Sequence, residues 1–116
     1  MRDLFVQASG ALGIVAALVH GYLGETKVFR AAHIEPRWAG RLMRSLYRCT
    51  VLDWCALGVL LILVPAMGSK FSRHAVIVAS VAIFGGAAAG NAWSSRGRHF
   101  GWMLLLAVVG LALAGI

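Results

Sequence analysis

Charged residues are scarce in this sequence: they make up 13% of its 116 residues, whereas hydrophobic residues make up 60%. A soluble domain of this size needs more polar surface to cover its core. Proline occurs only twice, whereas glycine occurs 14 times, and small residues let helix backbones approach closely in lipid. The composition therefore excludes an ordinary soluble domain and favours a helical integral membrane protein.

Cysteine pairs and catalytic motifs are also missing. Cys49 and Cys55 are six residues apart, about 240° around a helix, so they cannot bridge each other. The sequence contains no G-x-S-x-G, no Walker-type glycine loop, no C-x-x-C and no H-x-x-x-H. We therefore predict a non-enzymatic protein without a metal or a cofactor.

Four apolar runs are present, at residues 4–23, 49–67, 74–93 and 100–116. Each has about the length that crosses the ~30 Å hydrocarbon layer as a helix. The second and third runs are separated only by the tight turn GSKFSR, so their helices are expected to be antiparallel neighbours. The sequence predicts one integral membrane domain, residues 1–116, folded as an all-α bundle of four antiparallel transmembrane helices.

The basic residues give the chain a net charge of +7 and predict its orientation. The first and third connections hold Lys27, Arg30, Arg37, Arg41, Arg44, Arg48, Arg96 and Arg98, eight of the 11 Lys and Arg residues. An excess of this kind marks the cytoplasmic side, so both termini are predicted to lie outside, in the periplasm of a bacterial inner membrane. Because these residues lie between apolar runs, we expect anionic lipid headgroups rather than nucleic acid as their partner.

The first connection is predicted to become helical at Glu35-Pro36, since proline suits a first helical position. The helix would continue through a basic amphipathic segment into the second span. Its arginines recur at spacings of four, three and four, which puts them on one face: Arg37, Arg41, Arg44 and Arg48. These arginines have two possible roles. They only determine the membrane topology, or they form a surface that binds anionic lipid or a partner protein.

The third run contains the G-x-x-x-G motif formed by Gly86 and Gly90. Small residues four apart leave a groove that another helix can enter. The motif predicts close helix packing, either inside one bundle or in a homodimer.

Polar residues recur at one depth near the predicted cytoplasmic ends. His20, Asp53 and Asn91 each lie five residues inside a charged residue, about 7–8 Å along a helix. A carboxylate in a membrane helix costs up to ~2.5–3.5 kcal/mol at the helix centre, so Asp53 is expected to have a partner, such as His20 or Arg48. We predict a polar cluster that is either a structural clamp or a functional site, composed of His20, Glu25, Asp53, Asn91, Arg96, Arg98 and His99.

Three stretches, HGYLGE, LYRCTVLDW and SRGRHFGW, resemble a family of small, uncharacterised bacterial proteins with four membrane helices. The resemblance covers nearly the whole chain, although this chain has Tyr47-Arg48 where members carry a Trp-His pair. It implies a bacterial inner-membrane protein without an established activity. Matched residue by residue, it points to His20, Gly24, Glu25, Arg96, Arg98 and His99.

Three functions remain in competition at this level. The first is a non-enzymatic subunit, assembly factor or regulator of a membrane complex, which needs docking surfaces but no catalytic residue. The second is a small proton-coupled transporter that uses the His/Asp/Glu cluster. The third, a membrane cofactor or metal protein, is disfavoured by the missing motifs.

Overall fold

The chain is all-α in the computed structural model, which describes residues 1–116. Its helices are α1 (Arg2–Leu23), α2 (Arg37–Leu63), α3 (Lys70–Ser95) and α4 (Gly101–Ala114). A π-helical turn, Gly24–Val28, extends α1, and a 3₁₀ turn, Val64–Ala66, extends α2. With these extensions the first three helices are long and apolar enough to cross a membrane, and α4 is a shorter apolar helix. The predicted all-α class is confirmed.

Local signals explain where the helices begin and end. Pro36 precedes α2, so the predicted helix start at Glu35-Pro36 is confirmed to within a residue. The basic segment and the second apolar run form one continuous helix rather than two. The Ser69 hydroxyl accepts a hydrogen bond from the Ser72 N–H at the start of α3, and Arg96 ends that helix in a left-handed conformation with φ 53°.

One end of the molecule is fixed by polar contacts between helices. Arg73, near the start of α3, donates to Asp3 Oδ1 at 2.7 Å and to the Gly115 carbonyl at 2.8 Å. Gln7 of α1 donates to the Ile62 carbonyl of α2 at 3.3 Å. These contacts bring together the starts of α1 and α3 and the ends of α2 and α4. The opposite end therefore holds the two arginine-rich connections.

The buried core lies between these ends and is built from all four helices. Phe84 of α3 is 1% exposed, and its ring lies 5.7 Å from that of Trp54 on α2. The buried Ser9 hydroxyl of α1 donates to the Val108 carbonyl of α4 at 2.7 Å. Phe84 thus packs α3 against α2, while Ser9 fastens α1 to α4.

Helices α1 and α2 approach each other closely at two glycines. A Cβ added to Gly58 would lie 2.7 Å from the Gly10 carbonyl oxygen and 2.6 Å from Ile14 Cγ1. A Cβ on Gly10 would meet the Gly58 carbonyl oxygen in the same way. Both positions must therefore stay glycine for the two backbones to touch.

Gly86 and Gly90, by contrast, do not pack against another helix of this chain. Both are exposed, and a Cβ added to either would meet no atom within 4 Å. Packing inside the bundle is therefore the wrong alternative for this motif, because it lies on the outward side of α3. Packing in a homodimer stays a prediction.

Candidate functional site: a polar cavity at the arginine-rich end

A cavity of about 540 Å³ lies among the helices at the arginine-rich end. Its wall combines apolar side chains with neutral polar groups and contains no Asp, Glu, Lys or Arg side chain. The polar and aromatic groups of the wall come from α1, α2, α3 and the connection into α4: His20, Tyr47, Thr50, Trp54, Asn91, Ser94, Ser95, His99 and Phe100. The volume is within the range of ordinary small-molecule sites.

Two aromatic side chains hold the imidazole of His20 in place. The Tyr47 hydroxyl donates to the His20 carbonyl at 3.1 Å, and its oxygen also lies 3.1 Å from His20 Nδ1. The two rings stack with centroids 4.0 Å apart and an angle of 8°. Trp54 lies on the other flank, 4.5 Å from the imidazole. Because the Tyr47 hydroxyl donates its proton to the His20 carbonyl, the hydroxyl oxygen is free to accept from the Nδ1–H of the imidazole. His20 Nε2 is then an acceptor without a partner in the protein.

The end of α1 is shaped to admit the Tyr47 ring. Gly24 is buried in the π-helical turn, and a Cβ on it would collide with the ring of Tyr47. Glycine at this position therefore lets Tyr47 reach His20. π-Helical turns inside helices occur frequently at functional sites.

Asn91 and His99 supply free hydrogen-bonding groups on the other side of the cavity. The Gly101 N–H donates to His99 Nδ1 at 3.0 Å, so in the neutral imidazole Nε2 carries the proton. The Nε2–H group of His99 has no partner in the protein. Asn91 Oδ1 is buried and also has no partner, which is uncommon for a buried oxygen. The hydroxyl groups of Ser94 and Ser95 donate to helix carbonyls instead.

The structure brings three residues of the predicted polar cluster to this cavity: His20, Asn91 and His99. Glu25 lies outside it and pairs with Arg48 at 2.7 Å. Arg96 and Arg98 are exposed and form no side-chain ion pair. The cavity therefore lacks the carboxylates of the predicted His/Asp/Glu group.

Asp53 is placed on the outer surface of α2. It is exposed and forms no hydrogen bond or ion pair. The predicted pairing with His20 or Arg48 is wrong, because those two side chains bind Tyr47 and Glu25. Its neighbour Trp54 is 5% exposed and faces the core, and successive residues are about 100° apart around a helix, so Asp53 turns outward.

Sequence reasoning missed Tyr47 and Trp54, which shape the cavity. A signal was available, since Tyr47, Thr50 and Trp54 have the three- and four-residue spacing of one helix face. This face is apolar and aromatic, and such a pattern does not distinguish a cavity wall from a packed core.

The arginine face of α2 lies against the first connection. The Arg44 guanidinium lies 5.6 Å from the centre of the Phe29 ring. Arg37, Arg41 and Arg44 border a second hollow of about 390 Å³ beside this connection. Only Arg48 of the four arginines on this face forms an ion pair within the chain.

The structure contains no group of three or more His, Cys, Asp or Glu side chains that could hold a metal ion. Comparison with known proteins finds no matching family model, no matching curated protein and no matching solved structure. The functional argument for this chain therefore depends on its own cavity and surfaces.

Proposed function

We propose that this chain is a multi-pass protein of a bacterial inner membrane and acts as a non-enzymatic subunit, assembly factor or regulator of a membrane complex. Its four helices would cross the bilayer as an antiparallel bundle. The observation that carries the proposal is Asp53, an exposed carboxylate without a partner on an otherwise apolar surface. The three helices that are long and apolar enough to cross a membrane support the location.

The outer surface of α2 suits lipid or another membrane helix. Leu52, Val59, Leu60 and Leu63 are 69%, 47%, 41% and 50% exposed. Such an apolar surface would be a liability in water. In a bilayer it is stable, and Asp53 is then the one acidic group on this surface of the helix.

A basic side chain from a partner helix would offset the free-energy cost of placing the Asp53 carboxylate in the bilayer. A transmembrane helix that carries Arg or Lys at the depth of Asp53 fits the outer surface of α2 by charge. The cavity holds no carboxylate, so its wall does not support a transporter that uses a His/Asp/Glu cluster.

The orientation follows from the two arginine-rich connections at one end of the molecule. We expect cysteines introduced at Ser69 to react with a membrane-impermeant reagent from the periplasm, and cysteines at Gly97 to react only after the cytoplasmic face is opened. Both variants need a background in which Cys49 and Cys55 are replaced by serine. Labelling of Ser69→Cys from the cytoplasmic side alone would reverse the proposed topology.

Substitutions of Asp53 test whether this residue contacts a partner or stabilises the chain itself. We expect Asp53→Asn to release a membrane partner that co-purifies with the wild-type protein after mild detergent extraction, and Asp53→Glu to retain it. The unfolding temperature of the isolated chain should not fall in Asp53→Asn, because no group of the chain pairs with this carboxylate. Glu25→Gln is the matched control, since Glu25 is paired within the chain, and it should keep the partner.

A captured protein supports the proposal only if it has a membrane helix with Arg or Lys and if exchanging that residue with Asp53 restores binding. Equal recovery of the partner with Asp53→Asn would contradict the proposal, and so would a wild-type chain that is monomeric with nothing bound. Disulfide cross-linking between two copies through Ala56→Cys would instead identify a second copy as the occupant.

A further inference from the structure

We propose that the cavity at the arginine-rich end binds an uncharged, lipid-soluble ring compound that carries hydroxyl or carbonyl oxygens, the headgroup chemistry of a quinone or quinol. This inference does not depend on the partner surface at Asp53. It rests on the charge of the cavity wall, on its unpaired hydrogen-bonding groups, on its aromatic lining and on where the cavity opens.

The wall excludes a charged ligand. No acidic or basic side chain other than the two histidines lines the cavity. An ion transferred into such an environment without a counter-charge is strongly unfavourable. A phosphorylated or carboxylated compound would therefore find no partner here, whereas the nearby arginine face of α2 would attract it away.

The polar groups that remain free form a matched set of acceptors and one donor. Asn91 Oδ1 and His20 Nε2 can accept, and His99 Nε2–H can donate. None of these atoms is bonded within the protein. A ring hydroxyl would satisfy His20 and a ring carbonyl would satisfy His99, whereas Asn91 Oδ1 is covered by protein atoms and would accept only after the amide turns toward the ligand.

The aromatic groups favour a flat ring over an aliphatic chain alone. His20, Tyr47 and Trp54 present a contiguous aromatic surface, with His20 stacked on Tyr47 and flanked by Trp54. Aromatic rings pack against one another in offset or tilted arrangements that add to ordinary burial. The apolar side chains of Val19, Leu104 and Leu105 complete the wall.

The opening of the cavity suits a ligand that arrives from lipid. Gly90 and Ser94 line the cavity and are also exposed on the outside of α3. Deeper along the same helices, Phe84 and Trp54 close the gap between α3 and α2. The cavity therefore reaches the outer surface of α3 at Gly90 and Ser94, where an apolar tail on the ring could remain in the bilayer.

Photo-crosslinking in lipid nanodiscs tests the inference on the full-length chain. The probe is an azido-substituted decylubiquinone, and mass spectrometry maps the labelled residues. We expect saturable labelling on the cavity-lining parts of α1, α2 and α3 that is displaced by decylubiquinone. Decylbenzene has the same tail and a ring without oxygens, so it should displace the probe about tenfold less well, the ratio expected when a buried hydrogen bond is lost.

Variants at the free groups localise the binding. His99→Phe should weaken labelling by about tenfold, because it removes one hydrogen bond to the ring. His33→Phe is the matched control, since His33 is an exposed histidine of the first connection, and it should not change labelling. Gly90→Leu places a side chain into open space at the mouth, so it should block entry without disturbing the fold, which circular dichroism and gel filtration can verify.

Three results would overturn the inference. The first is labelling spread over the outer helix surfaces without saturation. The second is displacement by decylbenzene as effective as by decylubiquinone, which would indicate an apolar groove for acyl chains. The third is full labelling of Gly90→Leu in a folded sample.

Discussion

Leucine in place of Gly10 or Gly58 should lower the thermal unfolding temperature of the detergent-solubilised protein sharply. A Cβ on Gly58 already lies 2.7 Å from the Gly10 carbonyl oxygen, and the rest of a leucine side chain needs more room still. The obstacle is the backbone of the opposite helix, which cannot turn aside as a flexible side chain can. Overpacking of this kind typically costs about 1–3 kcal/mol and sometimes more. Because α1 and α2 meet at this point, their separation should also loosen the cavity beyond it.

Gly86→Leu and Gly110→Leu are the matched controls for that experiment. A Cβ at either position meets no atom within 4 Å, so both variants should unfold close to the wild-type temperature. If Gly58→Leu were as stable as Gly110→Leu, the close contact between α1 and α2 would not exist in the protein. A loss of stability in Gly86→Leu would indicate instead that the outward face of α3 is packed against a second molecule.

Phe84→Ala should be the most damaging truncation in the core. Phe84 is the largest fully buried side chain, and its ring contacts Trp54 and lies over Gly13. Alanine would leave a void between three helices, and a change of this size costs about 3–5 kcal/mol in well-packed cores. The packing term persists in a membrane, because lipid does not fill a closed internal void. Thermal unfolding followed by circular dichroism in detergent measures the loss.

Phe71→Ala removes the same group from the same helix at a position that is 82% exposed. It should change the unfolding temperature little. Equal losses in Phe84→Ala and Phe71→Ala would show that Phe84 is not enclosed as described.

The sequence predicted the helices far better than the side-chain neighbourhoods. Uninterrupted apolar runs and the Glu35-Pro36 helix start located all four helices, because length and capping signals are local. The predicted common depth of His20 and Asp53 concerns position along the helix axis, and depth contains no information about rotation around that axis. The sequence pattern therefore did not show that Asp53 faces outward while its neighbour Trp54 faces the core.

The glycine contacts show a second limit of sequence-based prediction, which considers each helix separately. Gly86 and Gly90 form a recognisable motif because both belong to one helix. Gly10 and Gly58 come from different helices and have no pattern that connects them in the sequence. Their contact depends on how two helices cross, and this crossing is decided by the packing of the whole molecule.

The π-helical turn at the end of α1 contains one more residue than an α-helical turn would, and this extra residue changes the direction of the side chains that follow it. The Phe29 N–H donates to the Gly24 carbonyl, five residues earlier, at 2.8 Å, whereas an α-helix would connect residues four apart. The extra residue rotates everything after it by about 100° relative to a continued α-helix. This rotation brings the Phe29 ring edge-on to Tyr47 at 5.2 Å and Val28 to the cavity wall. Deletion of Thr26 or Lys27 would therefore swing the first connection away from α2 and uncover the cavity from above, although neither residue lines the cavity.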